Sequence, residues 1–206
     1  MPDKVDLKRT LASYRARRGR FELIDVPDMR YLMVDGHGDP NTSPAWDDAL
    51  SALYPVAYKL KFASTQELGR DYVVPPLEGL WWADDMAAFT TAREKSRWDW
   101  TAMLMVPDWI DDGAFDAALA RAGAKDPPAR LGDVRLEPLS EGRCVQTLHV
   151  GSFDDEAAVL ERLHHEVLPE QGLRLDGKHH EIYLSDVRRV APEKLRTILR
   201  QPVRMA

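Results

Sequence analysis

The stretch Lys178-His-His-Glu-Ile-Tyr-Leu184 has the composition of a β-strand, with aromatic and β-branched residues among polar ones. Successive side chains of a strand point to opposite faces, so His179, Glu181 and Tyr183 share one face. A carboxylate that faces an aromatic cleft is partly desolvated, which raises its pKa toward the range of a general base. The alternative is an ordinary glutamate that pairs with an arginine or faces solvent, and spacing alone does not separate the two interpretations.

The two halves of the chain share an order of elements. Each half has a strand that ends at a glycine, then a capped helix, then a strand that carries glutamate beside aromatic residues. These elements are Gly38, 46–57 and 78–82 in the first half, and Gly151, 157–167 and 181–185 in the second. Three correspondences in one order indicate a duplication.

We therefore predict an α+β fold, a tandem pair of strand-helix-strand-strand modules with pseudo-twofold symmetry and a central ligand cleft at their seam. An N-terminal arm or short helix is expected over residues 1–25. One domain is expected over residues 26–206, with repeats at about 26–110 and 111–206.

The first-half strand, Glu78-Gly-Leu-Trp-Trp82, supplies further candidate site residues. Glu78, Leu80 and Trp82 share a face, and under a pseudo-twofold axis Glu78 and Glu181 both approach the seam. Four tryptophans near these strands favour a stacked flat aromatic or cationic ligand, although at least one or two of them are expected to be core. The ligand-binding candidates are therefore Glu78, Leu80, Trp82, Trp100 and His179.

Nothing in the sequence predicts a metal or a cofactor. The histidine pairs at 164–165 and 179–180 look like ligand clusters, but adjacent side chains diverge on a helix or a strand. No phosphate loop, dinucleotide fingerprint or serine elbow occurs. The single cysteine, Cys144, lies in a strand-like segment and is interpreted as a small buried hydrophobe.

Composition limits the partners. The 206-residue chain carries a net charge of −6, which disfavours direct nucleic-acid binding. No apolar run approaches the ~20 residues that span a bilayer, and the N-terminus lacks the apolar core of a signal peptide. We expect a cytoplasmic protein without a membrane partner, monomeric or weakly dimeric, that binds a lipophilic aromatic small molecule.

Two helices illustrate what the local pattern predicts. Residues 41–44 offer N-caps followed by proline, and apolar spacing over 46–57 predicts a helix that Pro55 should kink or restart. Residues 191–200, with Pro192 near the start, predict a C-terminal helix.

Three stretches together resemble the signatures of stand-alone GyrI-like proteins. The first is Lys178-His-His-Glu-Ile-Tyr-Leu-Ser-Asp186 with the 191–200 tail. The others are Pro75-Pro-Leu-Glu-Gly-Leu-Trp-Trp82 and Trp98-Asp-Trp-Thr-Ala-Met-Leu-Met-Val-Pro-Asp108. The resemblance covers nearly the whole chain from about Arg30, and it is the combination that is specific.

The resemblance implies two strand-helix-strand-strand modules around a cleft for bulky lipophilic or aromatic molecules. It also implies a hydrolase of cyclopropane-bearing genotoxic natural products, in which Glu181 activates water and Tyr183 donates a hydrogen bond. Non-catalytic binding or sequestration is the alternative, and interaction with DNA gyrase is a third possibility. The ~30 residues before the resemblance are too few for the helix-turn-helix segment of the family's transcription factors.

Overall fold

The computed structural model describes residues 4–84 and 94–206. Over these residues the helices are α1 (Leu7–Thr10), α2 (Pro44–Glu67), α3 (Asp112–Gly123), α4 (Glu156–Arg162) and α5 (Leu168–Glu170). The strands are β1 (Glu22–Val26), β2 (Met29–His37), β3 (Leu77–Trp82), β4 (Asp99–Val106), β5 (Arg135–Leu139), β6 (Gly142–Val150), β7 (Leu173–Leu175), β8 (His179–Tyr183) and β9 (Arg196–Met205). A π-helical turn, Leu163–Val167, joins α4 to α5.

One antiparallel sheet contains both modules. Among the described residues its order is β1-β6-β9-β8-β3-β4-β2-β5, with β7 paired to β9. The first module is β2-α2-β3-β4 and the second is β6-α4-β8-β9, so the order reads the same from either end. The predicted α+β fold of two strand-helix-strand-strand modules is confirmed, with β3 and β8 side by side at the seam.

The sheet curls until its two ends meet. Only residues 27–28 connect β1 to β2, and only residues 140–141 connect β5 to β6, although each connection joins opposite ends of the strand order. Such a connection spans at most about 11 Å. The curled sheet therefore has an inner face and an outer face, and the helices α2 to α5 cover the outer one.

Alternation along the strands divides the core between the two faces. Leu32 and Val34 of β2 point outward and pack with Leu53, Val56 and Leu60 of α2. The inner face carries a second cluster from six strands and the N-terminal segment, which includes Tyr14, Tyr31, Leu80, Met103, Leu148, Ile182 and Ile198. A smaller cluster lies under α5 and includes Val145, Leu163 and Val203.

The predicted C-terminal helix is wrong, because these residues form strand β9. Only a short 3-10 turn, Pro192–Lys194, follows the proline. β9 lies between β6 and β8, and its residues from Thr197 to Val203 are all buried. A strand buried on both faces has no polar-apolar alternation, so its pattern resembles that of a helix.

The predicted helix over 46–57 is confirmed and extends further. It begins where Ser43 accepts a hydrogen bond from the Ala45 amide at 3.3 Å, with Pro44 at the first position. It continues through Pro55 as one helix to Glu67, so it does not restart there.

Candidate ligand cleft

A cleft of about 1380 Å³ lies on the outer face of the sheet, above the seam between β3 and β8. Helix α2 forms one wall and α4 forms part of the other. Trp46, Leu50 and Tyr54, each one helical turn apart, present a continuous apolar stripe to the cleft. The opposing wall includes Phe153, Ala157 and Leu160. The cavity is therefore mainly apolar and lies where the two modules meet.

Glu181 and Tyr183 both line the cleft, as their shared strand face predicts. The Tyr183 hydroxyl donates a hydrogen bond to Glu181 Oε2 at 2.8 Å and accepts one from Trp81 Nε1 at 3.1 Å. The second oxygen, Glu181 Oε1, lies 3.5 Å from His179 Nε2. Glu181 is 9% exposed, so its carboxylate is held in a fixed orientation at the floor of the cleft.

The proton of Tyr183 is firmly bound. Burial, and then the neighbouring carboxylate of Glu181, raise the pKa of Tyr183 well above its ordinary value. The hydroxyl therefore stays protonated at neutral pH, and its single proton is directed at Glu181.

Gly79 makes room for this arrangement. It pairs with Glu181 across the seam, and a Cβ built on it would meet Trp81 Nε1 at 2.7 Å and the Tyr183 hydroxyl at 3.1 Å. Glycine is thus the residue that allows the indole and the phenol to meet above β3.

A second carboxylate that sequence reasoning missed, Glu156, also lines the cleft. It is 4% exposed and stands at the first position of α4, where the helix dipole favours a negative charge. Its charge contributes to the raised pKa of Tyr183, and Phe153 contacts that ring edge-on at 5.6 Å. In the sequence it was only one of several acidic residues at a helix start, which are usually exposed.

The aromatic wall is built from tryptophans of both α2 and the sheet. Trp46 stacks on Trp81, with centroids 5.1 Å apart and planes at 28°. Trp98 meets Trp81 edge-on at 5.8 Å and also lines the cleft. Trp100 is fully buried beneath Trp46 and donates to the Gly38 carbonyl at 3.2 Å, so it supports the wall without lining it.

The structure does not bring every candidate residue to the cleft. Glu78 pairs with Ile182, and the next pair along the two strands is Gly79 with Glu181. Adjacent pairs face opposite sides of the sheet, so Glu78 points to the inner face with Leu80 and Trp82. His179 is on the cleft side but lies 1% exposed behind Glu181. Glu78, Leu80, Trp82, Trp100 and His179 do not line the cavity, and Lys178 Nζ covers the Trp82 ring at 3.2 Å.

Glu78 instead belongs to a buried ionic network on the inner face. His180 contacts Glu78 Oε2 through Nε2 at 2.8 Å and Glu141 Oε1 through Nδ1 at 2.9 Å. Arg200 Nη1 donates to Glu141 Oε2 at 2.7 Å, and the Tyr14 hydroxyl donates to Glu78. Both ring nitrogens face carboxyl oxygens, which favours the imidazolium form because only that form donates from both nitrogens. Two carboxylates and two cations then sum to zero charge.

Residues 4–84 and 94–206 hold no group of three or more His, Cys, Asp or Glu side chains arranged to bind a metal. Over the same residues, no helix has the length and apolar character needed to cross a bilayer. The histidine pairs 164–165 and 179–180 fall within this part of the chain.

The fold and the cleft together define a class, the small-molecule-binding domains built from two strand-helix-strand-strand modules. Residues 20–204 match the GyrI-like small molecule binding domain family, and the chain belongs to that GyrI-like family. No protein of curated function matches the chain.

Solved structures extend the comparison. An uncharacterized conserved protein from Listeria innocua is 39% identical, with 98% of this chain and 100% of that chain covered and a TM-score of 0.88. Another Listeria innocua protein, described as a hydrolase, is 37% identical with the same coverage and a TM-score of 0.83. The C-terminal domain of EcmrR is 10% identical over 91% of this chain and 98% of its own, and its TM-score of 0.57 shows a shared fold.

Proposed function

We propose that the cleft binds a bulky, mainly apolar organic molecule and hydrolyses it with water activated by Glu181. The observation that carries this proposal is the Glu181 carboxylate at the floor of an aromatic cavity, held through Oε2 by Tyr183. A carboxylate fixed in this way can accept a proton from a water molecule placed between it and a ligand. The Listeria innocua relative described as a hydrolase supports the assignment of a reaction class.

The hydrogen bond between Tyr183 and Glu181 indicates a separate role for each residue. The Tyr183 hydroxyl has one proton, and in the free protein that proton orients Glu181. Once Glu181 has taken a proton from water, it no longer needs that hydrogen bond, and Tyr183 is free to donate to an oxygen of the ligand. The aromatic wall that the stacked Trp46 and Trp81 form packs against the flat part of the ligand.

For the substrate we propose a strained cyclopropane conjugated to the carbonyl of a cyclohexadienone. The water oxygen forms a bond to a ring carbon while one carbon–carbon bond of the cyclopropane breaks. The released electron pair moves into the conjugated carbonyl, which becomes a phenolate. The proton held by Glu181 then passes to that oxygen, so the product is the substrate plus one water.

The alternative is binding without turnover, which the description of the family as a small molecule binding domain supports. In that case the cleft sequesters the ligand, and Glu181 and Tyr183 serve only to bind a polar group on it. The two functions differ in whether the ligand is recovered unchanged.

Incubation with an aryl-fused spirocyclopropyl cyclohexadienone, followed by mass spectrometry, distinguishes them. Hydrolysis gives a gain of one water above the uncatalysed background, whereas sequestration returns the original mass. We expect Glu181→Gln to retain binding and to lose at least about 100-fold in rate, as for removal of a general base. The matched control is Glu170→Gln, an exposed carboxylate outside the cleft, which should leave the rate unchanged. Wild-type rates in Glu181→Gln would show that Glu181 is not the base.

A further inference from the structure

The cleft is longer than a single aromatic ring system. Trp46, Leu50, Tyr54 and Tyr58 all line it from successive turns of α2. The twelve residue-to-residue steps from Trp46 to Tyr58 correspond to about 18 Å along the helix axis. At 1380 Å³ the cavity also exceeds the ~300–1,000 Å³ of ordinary small-molecule pockets. One stacked ring system beside Trp46 and Glu181 would leave the far end unfilled.

The far end is itself aromatic. The rings of Tyr54 and Tyr58 lie 6.5 Å apart with planes at 28°, so they form a stacked pair one helical turn apart. Tyr58 is 47% exposed and Val187, in the loop between β8 and β9, is 55% exposed. Both residues line the cleft, as does Arg188 beside Val187. Large apolar side chains that remain exposed at the mouth of a cavity are typical of a binding surface.

We propose that Tyr54, Tyr58 and Val187 form a second aromatic subsite, which takes a second flat unit of the same ligand. The subsite rests on the binding part of the proposed function. It selects ligands in which two aromatic units are joined end to end, because the deep wall of Trp46 and Trp81 holds one unit and the tyrosine pair holds the other. The same cleft connects the two sets of residues, so a linked ligand can reach both without leaving it.

A matched pair of probes and a matched pair of variants test the subsite. Hoechst 33258 carries two benzimidazoles joined end to end, and 2-phenylbenzimidazole carries one. Tyr58→Ala removes the exposed ring of the pair, and Phe62→Ala removes the next exposed ring along α2, which lies outside the cleft. Affinities come from probe fluorescence and from quenching of the cleft tryptophans.

Tyr58→Ala should weaken Hoechst 33258 about tenfold, since a lost aromatic pair and its burial are on that scale, and 2-phenylbenzimidazole less than twofold. Phe62→Ala should weaken neither probe. Equal losses for both probes, or no loss for either, would overturn the subsite. Failure of both probes to bind the wild type would instead refute the binding function on which it rests. If Tyr58→Ala and Phe62→Ala both shift the sedimentation coefficient and leave probe affinity unchanged, the aromatic stripe is a protein interface and the subsite is refuted.

Discussion

Replacing His180 with glutamine should strongly destabilise the fold, because it removes a positive charge that contacts two buried carboxylates. His180, Glu78 and Arg200 are each 0% exposed, and the His180 nitrogens lie 2.8 Å and 2.9 Å from carboxylate oxygens. Without the imidazolium, Glu78 and Glu141 share one remaining cation and the buried network has a net negative charge. Breaking a buried pair by removing one partner costs about 3–5 kcal/mol.

The measurement is a double-mutant cycle by urea unfolding at neutral pH. Glu78→Gln combined with His180→Gln restores charge balance, because Glu141 and Arg200 remain paired at 2.7 Å. We therefore expect the double variant to be more stable than additivity predicts, with a coupling energy of about 1–3 kcal/mol. His165→Gln, an exposed histidine, is the control and should change stability by less than about 0.5 kcal/mol. Additivity within about 0.5 kcal/mol would refute the claim that these groups act as one charge-balanced unit.

The sign of the pH dependence follows from the same contacts. Burial alone would lower the pKa of His180, but Glu141 and Glu78 outweigh it and raise that pKa. Its stabilising contribution is therefore fully present below the unfolded pKa of about 6.5 and is lost as the pH rises through the folded pKa. The wild type should lose more stability than His180→Gln between neutral and alkaline pH, and equal losses would contradict the imidazolium assignment.

Further predictions concern the seam between β3 and β8 and the stability of the protein at acid pH. Gly79→Ala should displace Trp81 and Tyr183 and weaken probe binding in the cleft by about tenfold, whereas Gly132→Ala, where a Cβ meets nothing within 4 Å, should leave probe affinity unchanged. Fluorescence titration of the two variants checks this, and equal affinities would show that the seam tolerates the methyl group. Burial opposes ionisation of Glu141, but His180 and Arg200 outweigh it and lower the pKa of Glu141 to about 2. The stability that Glu141 contributes is therefore present above the unfolded pKa of about 4.3 and is lost as the pH falls toward 2. The free energy of unfolding of Glu141→Gln should accordingly fall less than that of the wild type as the pH is lowered. An equal loss in the two proteins would argue against the ion pairs of Glu141.

Much of the fold follows from local pattern, because turn residues and the periodicity of apolar residues predict the order of most strands and helices. The repeat identified the two modules and predicted that the strands carrying Glu78 and Glu181 approach the seam between them. Strand alternation correctly grouped His179, Glu181 and Tyr183 on one face. Strand alternation did not establish which face of β8 the helices cover, because both faces of that strand are buried.

The remaining features depend on contacts distant in sequence. Glu78 and Glu181 look equivalent in the repeat, but the pairing register offsets them by one residue and one residue reverses the face. The edge strands are exchanged as well, because β1 pairs with β6 of the second module and β5 pairs with β2 of the first. Glu156 acquires its place in the cleft only when α4 packs over Tyr183, which no local signal reports.

A crystal structure of the protein with Hoechst 33258 bound tests the central claim most directly. We predict electron density for one benzimidazole against the stacked pair of Trp46 and Trp81, beside Glu181, with the second benzimidazole against Tyr54 and Tyr58. Density on the inner face beside Glu78, or elsewhere with the cleft empty, would contradict the assignment of this cleft as the ligand site.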